Sequence, residues 1–221
     1  IITLNMDSQY SFIIGVFAGA VLSAIIGFLI GIPTLRLKGD YLAIATLGLS
    51  EIIRILILNF KFTGGARGLD SIPQYTNWTW LFIFTFGTVI IIKNIINSSH
   101  GRACISIREN EIAAEAVGIN STKYKVLAFV IGAFFAGIGG ALYSSYFYYI
   151  KPDLFGFLKS IDILVIVVLG GMGSISGSIL AAILLALIST YLQAFAELRM
   201  VIYSIVLLLI MIFRPQGLMG T

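Results

Sequence analysis

NSSHGRACISIRENEIAAEAVGINSTKYK, residues Asn97–Lys125, is the polar stretch whose reading decides the fold of this chain. It carries Arg102, Arg108, Lys123 and Lys125 together with Glu109, Glu111 and Glu115, while the segments on both sides are apolar enough to sit in a bilayer. At its centre Ile112, Ala116 and Ile119 recur at i, i+4 and i+7, which makes one narrow apolar stripe on a helix. Glu109 and Glu111 suit the amino end of that helix, where the dipole favours negative charge, and Gly118 suits its carboxyl end. Helices that rest on a lipid surface favour basic polar faces. Here the flanking face is acidic and the stripe short, so the expectation is a helix offered to a soluble partner.

Composition sets the frame for the rest. Of the 221 residues 59% are hydrophobic and 11% charged, and the mean hydropathy is +1.03. A soluble domain would carry about 25% charged residues, so the chain reads as a polytopic membrane protein of all-α class. Its formal charge of +4 is then a matter of which loops face the cytoplasm, where Lys and Arg accumulate, and not a footprint for nucleic acid. Cys104 is the single cysteine, so no disulfide can form within the chain; in the polar loop it reads as a reduced thiol. The chain opens at Ile1 without Met and reads as a trimmed piece, so the spans counted below are a minimum.

A helical span needs about 20 apolar residues. Phe12–Ile32, Tyr41–Phe60, Trp78–Ile96 and Val126–Tyr149 meet that length, the second with Glu51 and Arg54 inside it. Trp78 and Trp80, and the run Tyr143, Tyr146, Phe147, Tyr148 and Tyr149, suit membrane–water boundaries. Ile161–Leu169 is short and runs into GGMGSISGS at Gly170–Ser178, which points to a broken helix or to two short spans. Ile179–Ala196 and Met200–Phe213 follow, before Arg214 and Pro215. Alternation puts the Pro33–Asp40 turn, with Arg36 and Lys38, on the same side as the polar loop. Lys61, Arg67, Lys151 and Lys159, diluted by Asp70 and Asp153, fall on the other side. The GxxxG spacings Gly15–Gly19 and Gly27–Gly31 predict close helix packing without naming a partner.

Ala113-Ala114, three residues and Gly118 resemble the coupling-loop signature of ABC importer permeases, with two departures: the acidic residue, Glu111, stands one place early, and no Leu-Pro follows. Four further blocks resemble the LivM-type branched-chain amino acid permeases: LRLKGDYLAIATLGLSEIIRI at Leu35–Ile55, TGGARGL at Thr63–Leu69, VLGGMGSISGS at Val168–Ser178 and FRPQGLMG at Phe213–Gly220. GRACISIRENEIAAEAVGIN, at Gly101–Asn120, is the fifth, in the family's order. The resemblance implies one transmembrane permease domain over residues 1–221, lacking the family's first spans, with 97–125 as its cytoplasmic coupling loop. It implies a place in a bacterial inner membrane, a LivH-type second permease, two cytoplasmic ABC ATPases and an extracytoplasmic amino-acid-binding protein. Arg108, Glu109, Glu111, Ala113, Ala114, Ala116 and Gly118 take the coupling positions.

Three further groups bear on mechanism. Glu51 and Arg54, at i, i+3 in an apolar segment, read as a structural ion pair or as part of a polar path for a zwitterionic solute. Gly171-x-Gly173-x-x-x-Gly177 imitates a dinucleotide fingerprint without its strand, helix and ribose-binding acid; Gly170, Gly171 and Gly173 fit better a break, or close packing where two short helices meet, a geometry used at translocation sites. Thr63–Gly68 reads as an outward glycine turn, or as a contact for the binding protein. No GxxxxGK[ST] occurs, so ATP binding in the P-loop manner falls to a partner. His100 reads as a solvated loop residue. No catalytic constellation, metal cluster or cofactor motif is read from the residues. The other readings kept open are a secondary carrier working through Glu51 or Asp162, and an ABC permease for sugars or other small polar solutes. An integral-membrane enzyme is disfavoured for want of a nucleophile–base pair.

Overall fold

The computed structural model describes residues 9–191 together with Gly217 and Met219. The expected span Met200–Phe213, the end of Ile179–Ala196 and most of the Phe213–Gly220 block lie outside the described residues. Eight α-helices occur among the described residues: α1 (Gln9–Thr34), α2 (Asp40–Asn59), α3 (Trp78–Asn97), α4 (Ser99–Glu109), α5 (Glu111–Ala116), α6 (Ser121–Phe147), α7 (Phe157–Gly170) and α8 (Ile175–Tyr191). No strand occurs among them, and the fold is all-α. Four helices, α1, α2, α3 and α6, are long and apolar enough to cross a membrane, within a few residues of the spans read from the sequence. The chain divides into two compact units, Ile1–Asp153 and Leu154–Thr221.

The first unit is built on α1 against α6. Ser23 donates its hydroxyl to the Ala133 carbonyl at 2.7 Å. A Cβ on Gly137 would lie 2.8 Å from the Ala20 Cα, and one on Gly27 would lie 2.7 Å from the Ala133 Cβ. Only small residues permit that approach. Gly19 faces Ala141 and Gly31 faces Phe129, so the two helices run antiparallel. The GxxxG spacing thus has its partner within the chain. At the amino end of α1 the contact thickens into a core of Phe12, Val16, Ala20 and Ile138, flanked by Tyr75, Trp80 and Phe84. By contrast, α2 and α3 have no buried residue and expose long apolar faces.

The connection 60–77 meets the end of α6 at the far side from the polar loop. Leu69 and Ile150 exchange backbone hydrogen bonds at 2.8 and 3.0 Å, and Ile72 N donates to the Tyr148 carbonyl at 3.1 Å. Tyr149 donates its hydroxyl to the Arg67 carbonyl at 3.0 Å, and Tyr148 to the Gln74 side chain. Thr63–Gly68 folds as two successive 3-10 turns, the turn reading of that block. At the near side Lys38 lies 4.0 Å from Glu111. The α1–α2 turn and the polar loop therefore share one end, as alternation requires.

In the second unit α7 and α8 form a helical hairpin. Val165 and Leu169 pack on Ala181 and Leu185. A Cβ on Gly177 would lie 2.0 Å from the Gly170 oxygen, so the backbones touch just behind the tip. Gly171 and Gly173 turn the chain there at φ +101° and +94°, and Ser174 accepts from Gly177 N at 3.1 Å to begin α8. At 1.5 Å per residue α7 is roughly 21 Å long, short of a bilayer core of about 30 Å. Gly170–Ser178 therefore joins two short helices, and α7 does not reach the length of a span.

Candidate functional site

The polar loop folds as two helices where the sequence predicts one. The break is at Asn110, whose extended backbone (φ −156°) ends α4 and whose side chain accepts from Ala113 N at 3.0 Å to cap α5. Asn is as good a cap as Asp or Ser, and this cap outcompetes continuation of the helix. α4 starts in the same way on Ser98, which accepts from Gly101 N at 3.2 Å. It buries Ala103 and Ile107 against the bundle.

α5 ends as its sequence requires. Gly118 N donates to the Glu115 carbonyl and Ile119 N to the Ala114 carbonyl, both at 3.0 Å, with Gly118 at φ +87°. This is a Schellman turn, and its left-handed residue is best filled by glycine. Nothing lies within 4 Å of where a Gly118 Cβ would stand, so conformation alone, not space, selects that residue.

The orientation of α5 is set by charges. Glu111 accepts from Lys125 at 2.6 Å and lies 4.0 Å from Lys38. The Lys125 ammonium beside it holds the Glu111 carboxyl below its ordinary value. Glu115 accepts from the Ser121 hydroxyl, and Ala114 is buried. One side of the helix is thus fastened to the first turn of α6 and to the α1–α2 turn. The other side offers Ile112, Ala113, Ala116 and Val117, with Ile112 80% and Val117 77% exposed. Two large aliphatic side chains thus stand open to water on a helix pinned from its other side.

The predicted residues therefore separate. Ala113 and Ala116 lie on the open face, and Gly118 closes it. Ala114 and Glu111 face inward. Arg108 and Glu109 pair with each other at the α4 end, Arg108 Nε donating to Glu109 Oε1 at 3.0 Å. The predicted stripe Ile112, Ala116 and Ile119 does not hold as a unit, because the helix stops at Ala116 and Ile119 turns half-buried into the cap. Val117 takes its place. Sequence reasoning missed Val117, although it lies four residues from Ala113, and missed Lys38, Ser121 and Lys125 as the anchors. Cys104 packs with its thiol 3.8 Å from the Tyr124 carbonyl, and burial pushes its pKa up. His100 lies against the Tyr124 ring at 6.0 Å.

Glu51 and Arg54 do pair, Arg54 Nε donating at 2.9 and 3.1 Å to the two carboxylate oxygens. Arg54 also donates to Asp153 at 2.8 Å, a partner the local spacing did not reveal. Arg54 sits about 7 Å from the end of α2 by helical rise, so the triad ties that end of the helix to the connection after α6. Gly170, Gly171 and Gly173 occupy the tip of the second unit, whereas Glu51, Arg54 and Asp153 belong to the first.

Residues 2–213 match the family described as the permease component of the branched-chain amino acid transport system. The high-affinity branched-chain amino acid transport permease LivM of Salmonella typhimurium is 38% identical over 232 aligned positions, covering 89% of this chain and 55% of that protein. LivM of Escherichia coli is also 38% identical, over 90% of this chain and 55% of its own length. LivH of Salmonella typhimurium is 30% identical over 79% of this chain and 58% of its own length. The chain thus spans about half the length of the curated relatives it matches. No solved structure matches.

Proposed function

Starting from the fact that this chain belongs to the branched-chain amino acid transport permease family, we propose that it is the membrane-spanning part of an ABC importer for leucine, isoleucine or valine. Its residues 1–221 act as one permease domain in the inner membrane, with the polar-loop end in the cytoplasm. A LivH-type permease stands beside it, and the 30% identity to LivH supports a pair of related subunits. Two ATPases bind below, and an amino-acid-binding protein delivers solute from the far side. The relatives are transport permease subunits, and the chain's role is passage, not catalysis.

The observation that carries this reading is α5, fastened on one side and open on the other. A cleft in an ATPase that takes Ile112, Ala113, Ala116 and Val117 gains apolar contact. Its movement is delivered through Glu111–Lys125 and Glu115–Ser121 to the first turn of α6. Because α6 is locked to α1 by backbone-close packing, the two move as one body. Closure of the ATPases then tilts a helix pair without needing a flexible lever. Arg108 and Glu109 lie at the α4 end of the same surface and contribute polar rim contacts.

The test uses the full-length protein in its assembled transporter, in vesicles with a clamped proton gradient. Uptake of labelled leucine is expected to stop when ATP is depleted. Uptake that persists without ATP while the gradient is held identifies a secondary carrier and refutes the proposal.

A further inference from the structure

At the polar-loop end, α1 and α6 leave between them a groove of about 630 Å³, within the range of small-ligand sites. Its rim carries Arg36, just past α1, with Thr122 and Lys123 in the first turn of α6. Its wall is apolar, with Phe28 and Ile32 from α1 and Leu127 and Val130 from α6. The two cations differ from their neighbours. Lys38 and Lys125 share Glu111, Arg108 has Glu109, and Arg102 is held by the Asn97 carbonyl and Ser99. Arg36 and Lys123 have no carboxylate within 4 Å among the described residues. The amino end of α6 is already closed, Asn120 accepting from Lys123 N at 2.9 Å, so an anion here is held by side chains.

We propose that this groove binds an anionic phospholipid. The phosphate lies between Arg36 and Lys123 with the Thr122 hydroxyl as a further donor, and an acyl chain follows Phe28, Ile32, Leu127 and Val130 toward the bilayer core. Two unpaired cations above an apolar slot match an anionic headgroup on a hydrocarbon chain. A zwitterionic headgroup brings its own cation and gains less. Basic pockets between helices at the cytoplasmic surface have this character. The inference rests on α1 and α6 being spans, and not on the transported solute.

The experiment takes the detergent-purified, delipidated full-length transporter and titrates it with dioleoyl phosphatidylglycerol or dioleoyl phosphatidylcholine, bound lipid being counted by native mass spectrometry. The wild-type protein prefers phosphatidylglycerol. R36Q/K123Q weakens that lipid about thirtyfold, roughly fivefold per charge, leaving phosphatidylcholine unchanged, while R36K/K123R keeps the preference. Equal binding of the two lipids by the wild-type protein, or a preference that survives R36Q/K123Q, overturns the proposal. So does displacement of phosphatidylglycerol by equimolar inorganic phosphate, which marks a free-anion site. A photoreactive leucine analogue at position 127 is expected to attach to phospholipid. Attachment to a polypeptide instead shows the groove filled by protein and overturns the proposal as well.

Discussion

Replacing Ile112 and Val117 together by alanine isolates what the open face of α5 contributes. Both side chains are mostly in water, at 80% and 77% exposure, so the protein itself loses almost no packing. Alanine is the best helix former, so α5 keeps its conformation between the Asn110 cap and Gly118. The change removes three carbons at one site and two at the other. At about 0.8 kcal/mol per buried CH2 group, scaled by the surface still available to a partner, the loss in a fully enclosing cleft is about 3 kcal/mol. That is about a hundredfold in affinity for the ATPase subunits. The assay is assembly of the purified full-length permease pair with its ATPases, read as a dissociation constant and as stimulation of ATP hydrolysis in vesicles. The expected outcome is a weakened complex, recovered activity at high ATPase concentration, and unchanged thermal stability of the permease alone. An affinity within twofold of the wild type means that these side chains face no partner, and the assignment of α5 fails.

Three other changes test the frame around that helix. Gly118→Ala forces a residue with a Cβ to φ +87° at a cost of about 1 kcal/mol with no clash. Coupling of hydrolysis to uptake is expected to fall while insertion stays normal, as measured by the uptake-to-hydrolysis ratio. For Arg54→Leu, which leaves Glu51 and Asp153 without their shared partner, thermal unfolding in detergent should come at a lower temperature. Transport per folded molecule should be unchanged; a selective loss of transport would favour the polar-path reading. The Lys125 ammonium holds the Glu111 carboxyl below its ordinary value. A lowered folded-state value adds stability that is present above the unfolded value and lost as pH falls through the folded one. Protection of the α5 amides, taken relative to the intrinsic exchange rate at each pH, should therefore be level from neutral pH down to the ordinary carboxyl range and fall below it, and Glu111→Gln should remove that dependence.

How much of this was legible in the sequence depends on the range of the forces involved. The four spans were legible because length and apolarity are local, and the bilayer sets their scale. The small-residue ladder on α1 was visible too, but its partner on α6 was not. Nothing in Gly19, Gly27 or Gly31 says which other helix carries the matching Ala133, Gly137 and Ala141. α5 sharpens the point. Its existence and its glycine stop could be read from a dozen residues. Its rotation could not, because that is fixed by Lys125 and by Lys38, which arrives from the α1–α2 turn. Periodicity located an apolar stripe on Ile112, Ala116 and Ile119, and the tertiary ion pairs then turned Glu111 and Ala114 inward and left Val117 outside. The Asn110 break follows the same logic. A residue that can cap does so when the following turn is held in place by other contacts. Arg54 is the clearest case: its i, i+3 pairing with Glu51 was local and legible, whereas Asp153 arrives from the other end of the unit. That long-range partner gives the guanidinium a second carboxylate, so that one side chain joins α2 to the connection after α6.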